Sequence, residues 1–337
     1  MTKREYVKRT VAHQSSDRVP FCIKISEKAI ALYGDRIFRD FYNRDVQDDL
    51  KEGNINLDEA IQLTIGNYMM PGPVRWWYWD TDKTDPSYKN PEAVPEKMPA
   101  ITRDDTEENF LKSCNHAKWL ADKYQTFTAS YIYGSHFEKA NSIRGIENFL
   151  ADIAGAPEFA KQLLDFIIAH NLEILPKILK YDFVDAVLLG SDWGTQKDLF
   201  MSPETWENFI MPGEKAEYDL IRSSGKHVMI HSCGNILRIM QRLADLGVEI
   251  LNPVQNECMD LKFLKETYGK KITFWGGVST QKTLPYGAPE DVRKETESVI
   301  RLMSENGGYI TCGSQTIQED VPYENLKAFV ETARFYG

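Results

Sequence analysis

From about residue 126 onward the chain alternates between short β-rich runs and amphipathic helical stretches, and this regularity limits the fold more than any other feature. Strands are predicted at 126–133, 186–191, 227–231, 249–253, 272–275 and 309–311. Helices are predicted at 157–179, 203–223, 236–246, 261–268 and 289–305, with Gly225, Gly247, Gly269 and Gly307 placed as left-handed caps past helix ends. Alternation of this kind builds a parallel sheet with right-handed crossovers. A further strand at 21–25 and a weaker one within 55–65 bring the count to about eight, as in a (β/α)8 TIM barrel. A doubly wound open sheet is the alternative. Neither a Gly-x-Gly-x-x-Gly turn nor a P-loop is present, which argues against dinucleotide and nucleoside-triphosphate binding.

The chain therefore reads as one barrel domain over 1–337, with an N-terminal helical extension over 1–18 and an irregular Trp-rich insertion over 71–99. In that insertion Pro71-Gly72-Pro73 breaks the chain before Arg75-Trp76-Trp77-Tyr78-Trp79-Asp80. The tryptophans form either a hydrophobic plug under a long loop or an aromatic wall for a flat ligand. A charged amphipathic helix is expected over 104–124. A net charge of -10 with pI near 5.3 argues against a nucleic-acid surface and against anionic membrane. No apolar run approaches the ~20 residues that span a bilayer. The N-terminus lacks the apolar core of a secretory signal. The cysteines (Cys22, Cys114, Cys233, Cys258, Cys312) are odd in number and scattered, unlike a disulfide framework. A reduced, cytoplasmic protein is the expectation.

In a barrel the active site forms at the C-terminal ends of the strands, and here those ends carry the unusual residues. The strand at 227–231 ends in His231-Ser232-Cys233-Gly234-Asn235. Residues two apart on a strand share a face, so His231 and Cys233 converge, either as half of a soft-metal site or as a nucleophile with its base. Glu257 and Cys312, near other strand ends, are candidate further metal ligands. Asp192, just past the strand at 186–191, is either a general acid–base carboxylate or a capping aspartate. His136 and Glu138, two apart after the strand at 126–133, point one way, either as a polar pair or as an ordinary exposed loop; Glu138 is the second catalytic candidate. Trp193, Gln196, Asn252, Gln255 and Gln315 at the strand ends, with Trp77 from the insertion, are candidate substrate contacts. Cys22, Cys114 and Cys258 read as small buried side chains.

The residues also resemble a known family. Asp17-Arg18-Val19-Pro20, Phe137-Glu138 with Arg144-Gly145-Ile146-Glu147, Ser191-Asp192-Trp193-Gly194-Thr195-Gln196 and His231-Ser232-Cys233-Gly234-Asn235 match the uroporphyrinogen decarboxylase superfamily. So do Leu251-Asn252-Pro253-Val254-Gln255, Trp275-Gly276-Gly277-Val278 and Ile317-Gln318-Glu319-Asp320-Val321-Pro322. The resemblance is to its methyltransferase-like, corrinoid-dependent branch, and it implies the same (β/α)8 barrel.

True decarboxylases of the family carry an arginine-rich segment after the first strand that holds the porphyrinogen carboxylates. Here that place reads Ile23-Lys24-Ile25-Ser26-Glu27-Lys28, without arginine, so a polyanionic porphyrinogen would be poorly held. The methyltransferase branch implies zinc bound by a His-x-Cys pair and a distant cysteine, which His231, Cys233 and Cys312 would supply, with Glu257 as the carboxylate. The family's distant ligand falls near Gln315. The resemblance further implies a thiol acceptor, methylcobalamin carried on a corrinoid protein, and, in related members, O-demethylation of methoxylated aromatics. A homodimer is compatible with it. Two alternatives remain: a metal-independent decarboxylase-like lyase using Asp192 on a small carboxylate or tetrapyrrole, and a non-catalytic barrel that binds a tetrapyrrole or a partner.

Overall fold

The computed structural model describes residues 1–103 and 106–337, which form two compact units. One comprises residues 1–70, 120–127 and 249–337; the other comprises 71–119 and 128–248. In chain order the strands are β1 (Met69–Pro71), β2 (Tyr78–Trp79), β3 (Ile101–Thr102), β4 (Phe127–Ile132), β5 (Ala186–Gly190), β6 (His227–His231), β7 (Ile250–Val254), β8 (Thr273–Val278) and β9 (Tyr309–Gly313). Helices follow β4 to β9, so the fold class is α/β of the TIM-barrel type expected from the alternation.

In the unit built around β4, β5 and β6 the ladders are parallel, from Ala129↔Ala186 to Ile132↔Leu189 and from Ala186↔His227 to Gly190↔His231. Every residue of β5 is buried, as a parallel strand covered on both faces requires. The long crossover helix Pro157–Leu179 runs as predicted and buries Leu163, Leu164, Ile167, Ile174, Leu175 and Ile178. The predicted helix at 203–223 is two helices, Pro203–Phe209 and Met211–Ser223. Pro212 explains the break, because it lacks the N–H that would continue the first helix. The helix predicted over 236–246 is likewise divided, into a 3-10 turn Leu237–Ile239 and Met240–Asp245.

The Trp-rich insertion folds around the short antiparallel pair β2–β3. Trp76 and Trp77 are buried, and Trp77 Nε1 donates to Asn171 Oδ1 at 2.7 Å. Lys139 Nζ lies 4.1 Å from the Trp77 ring centroid and donates to Trp77 O. The plug is therefore what the structure contains at Trp77. Arg144 anchors the rest of the insertion. Its guanidinium pairs with Asp152 at 2.6 and 3.0 Å and donates to the carbonyls of Ser87, Tyr88, Asn90 and Ala93. An arginine's planar fork suits such a cluster of acceptors.

In the other unit β7, β8 and β9 are parallel neighbours. The β7–β8 register shifts between Leu251 and Val254, across Pro253, which has no N–H to give the ladder. The first predicted strand is reduced to isolated bridges, Phe21↔Thr311 and Ile25↔Ile317. Between them Ile23 bonds the buried Asn67 side chain through both its N–H and its C=O, each at 2.9 Å, which takes the place of a strand partner.

The weak second strand within 55–65 is instead the helix Leu57–Ile65, opened by a capping box between Asn56 and Glu59. The extended segment comes later, as β1. Gly225, Gly247 and Gly307 have positive φ, as expected of left-handed caps, but Gly269 has φ -64 and stays right-handed. The helix expected over 104–124 is Glu107–Tyr124; its expected start at Asp104 lies outside the described residues. Among the described residues, no helix is long and apolar enough to cross a membrane.

Candidate metal centre at the end of β6

The register of β5 against β6 builds this site. Gly190 stands opposite His231, so the chain leaves both strands level, and Asp192 and Cys233 each follow two residues later. Ser191 N–H donates to His231 O at 3.0 Å and continues the ladder one step past the strand end. Cys233 N–H then donates to Asp192 Oδ1 at 2.8 Å, and Trp193 N–H donates to Ser232 Oγ at 3.1 Å.

The two loops touch backbone to backbone. A Cβ on Gly234, which has φ +80, would lie 2.5 Å from the Gly194 carbonyl carbon, and one on Gly194 would lie 2.7 Å from Cys233 O. Only glycines permit so close an approach.

Three different ligand types meet here. Cys233 Sγ is 3.4 Å from His231 Nε2, and His231 Nε2 is 3.8 Å from Asp192 Oδ1. Ligand atoms of all three residues lie within 4.8 Å of one another. The His231 side chain is 15% exposed and that of Asp192 35%, so the cluster can meet a solute. Tyr133, just past β4, packs its ring edge-to-face on His231 at 5.1 Å between centroids and fixes the imidazole plane.

Glu138 lies in the first turn of the helix Phe137–Arg144, and its carboxyl is pushed up to about 7, first by burial and then by the charge of Asp192. His136 and Glu138 do not act as a pair pointing one way. His136 is fully buried, with Nδ1 3.0 Å from Glu214 Oε1, because the two residues span a loop-to-helix junction where strand alternation no longer applies.

The other expected site residues are placed as follows. Trp193 is buried edge-on against Trp206 at 5.4 Å, while Gln196 is exposed on the loop after β5. In the first unit Asn252 and Gln255 are buried, and Asn252 Nδ2 donates to Trp275 O at 3.2 Å. Gln315 is half-buried after β9. Glu257 Oε1 accepts from Ser279 Oγ at 2.6 Å and from Ser314 Oγ at 3.0 Å, while its buried Oε2 has no hydrogen-bond partner among the described residues. Cys312 is buried in β9, and burial pushes its thiol up.

The β5–β6 register brings Asp192 beside His231 and Cys233, and its charge also acts on Glu138. The sequence held that signal, since Asp192 and Cys233 stand at equal offsets past adjacent strands. Tyr133 carries no such signal, because an exposed aromatic at a strand end is indistinguishable from loop.

No curated protein matches the sequence. The methyltransferase from Methanosarcina mazei is similar in structure over 100% of both chains, with a TM-score of 0.66 and 17% sequence identity, which establishes a shared fold. ZgEngAGH5_4, solved in complex with a cellotriose, is 12% identical over 99% of this chain and 97% of its own, at a TM-score of 0.41 too distant to inform the fold. The family model described as Uroporphyrinogen decarboxylase (URO-D) matches residues 78–336, most of the chain. The chain belongs to the uroporphyrinogen decarboxylase family.

Proposed function

We propose that this member of the family is a zinc-dependent methyltransferase that moves a methyl group between a corrinoid protein and a thiol or methoxylated small molecule. The reading is carried by the 3.4 Å approach of His231 Nε2 and Cys233 Sγ at a half-exposed strand end. The Methanosarcina mazei protein that shares the fold is itself a methyltransferase, and that supports it.

The residues fit the ion. Zinc at its usual bond lengths to nitrogen and sulfur holds tetrahedral ligand atoms about 3.5 Å apart. The spacings here, 3.4 and 3.8 Å, bracket that value. His231, Cys233 and Asp192 would hold the ion, which leaves a fourth position for the reacting group. When bound, zinc supplies a deprotonated thiol, or a polarised ether oxygen, near neutral pH.

The chain's own residues do the rest. Asp192 accepts the Cys233 N–H and so fixes the carboxylate beside both donors. The edge of Tyr133 holds the His231 ring. Glu138, near neutral in its proton affinity, takes the proton of an incoming thiol or gives one to a departing alkoxide.

The test is methyl transfer from methylcobalamin to a small thiol, followed by the cobalamin absorption change, in wild type and His231→Ala. Transfer in wild type that is lost in the variant and tracks zinc content supports the reading. Equal rates in both would overturn it.

A further inference from the structure

A second cluster of ligand-type side chains lies away from the strand-end site, in the same unit. His136 precedes the helix Phe137–Arg144, and Glu214 and Glu217 stand three apart on one face of the helix Met211–Ser223. All three are buried, at 0%, 1% and 0% exposure. One ligand atom from each lies within 4.8 Å of the others, and His136 Nδ1 is 3.0 Å from Glu214 Oε1.

From these residues we infer a second, buried binding site for a divalent transition-metal ion, distinct from the one at His231 and Cys233. Two carboxylates side by side and shielded from solvent need a cation or a proton between them. His136 as imidazolium would neutralise one of them. The second would then need a proton on Glu217, and a carboxylic O–H needs an acceptor. Glu217 Oε1 already accepts from Asn171 Nδ2 at 2.8 Å, and Glu217 Oε2, fully buried, has no hydrogen-bond partner among the described residues. His136 Nε2 is likewise buried without a hydrogen-bond partner among the described residues. A metal ion satisfies the orphaned carboxylate oxygen and neutralises both charges at once.

The surroundings are those of a built site. Asn171 orients Glu217 and is itself held by Trp77 Nε1 at 2.7 Å and by Ser135 O at 2.6 Å, the supporting layer that metal ligands require. This assigns the buried Trp77 a role beyond filling space. A cavity of about 240 Å³, lined by His136, Lys161, Asp165, Asn208 and Gly213 among others, gives a route to the imidazole. Gly213 lets its helix pack close on that ring, since a Cβ there would lie 2.6 Å from His136 Cε1. One imidazole and two carboxylates suit zinc, manganese(II) or iron(II) better than the all-oxygen preference of calcium or magnesium.

The test uses the full-length Cys233→Ala protein, so that the strand-end site is disabled, stripped with chelator and titrated with Mn²⁺ or Co²⁺. The expected result is one bound equivalent, a cobalt spectrum of weak d–d bands without thiolate charge transfer, and a melting temperature that rises with metal. Adding Glu217→Gln should abolish the binding and the metal-dependent shift. If the double variant fails to fold, the titration of Cys233→Ala alone still decides. No binding and no metal-dependent shift in Cys233→Ala would overturn the inference, and Glu217→Gln raising the melting temperature of the metal-free protein would assign the cluster to a shared proton.

Discussion

The two clusters of this unit each join a histidine to carboxylate, but only one adds a thiol, and they differ in access. His231, Cys233 and Asp192 sit half-exposed where two strands end, held by backbone register and a glycine-to-glycine contact. His136, Glu214 and Glu217 sit wholly buried behind helices, held by side chains such as Asn171. A site reached by substrate can leave a ligand position open, whereas a buried one must satisfy its charges internally or by a permanent ion. The strand-end cluster therefore suits turnover and the buried cluster suits a structural ion.

Substitutions can break this contrast, beginning with the largest expected effect. Cys233→Ala should lower thiol methylation by at least about 100-fold, since losing a ligand exceeds the usual cost of losing a ligand's support. Its melting temperature without metal should move little, which a thermal scan in chelator checks. Asp192→Asn should weaken zinc binding by roughly 10–100-fold while keeping the hydrogen bond from Cys233 N–H, measured by competition with a chromogenic chelator.

Glu138 gives the pH arm of the comparison. Its carboxyl is raised from 4.5 to about 7, by burial and then by Asp192. A raised carboxyl contributes stability that is full below its unfolded value near 4.5 and is lost as pH rises through about 7. Glu138→Gln should therefore remove that decline, gaining on the order of 2 kcal/mol over wild type at pH 8 after allowance for partial exposure. Urea titrations at pH 5 and pH 8 measure it, and the same change in unfolding free energy between the two pH values in both proteins would contradict the assignment. Gly213→Ala, which pushes on the buried His136, should cost about 1–3 kcal/mol by overpacking and leave methylcobalamin turnover within a few-fold.

Much of this was legible in the sequence, for identifiable reasons. Alternation placed β5 to β9 to within a few residues, because buried parallel strands are short apolar runs with glycine or polar residues at their ends. His231 and Cys233 were legible because strand periodicity alone puts them on one face. What failed depended on partners distant in sequence, except at residues 55–65, where the overlooked signal is local. Residues 21–25 have strand composition, yet Asn67 takes the hydrogen bonds of Ile23. Residues 55–65 look β-rich, yet the Asn56–Glu59 capping box starts a helix. His136 reads as an exposed loop residue until Glu214, on a later helix, is brought against it. Trp77 offered a plug or a ligand wall with equal chemistry, and only burial against Asn171 chose between them.

We propose that His231 and Cys233 hold a metal ion which a substrate thiol can reach. The most direct measurement is the absorption spectrum of the cobalt(II)-loaded protein before and after adding a small thiol. The expected result is a thiolate-to-cobalt charge-transfer band in wild type, stronger with added thiol and absent from Cys233→Ala in the thiol-free state. A spectrum without that band in wild type, or one unchanged by Cys233→Ala, would contradict it.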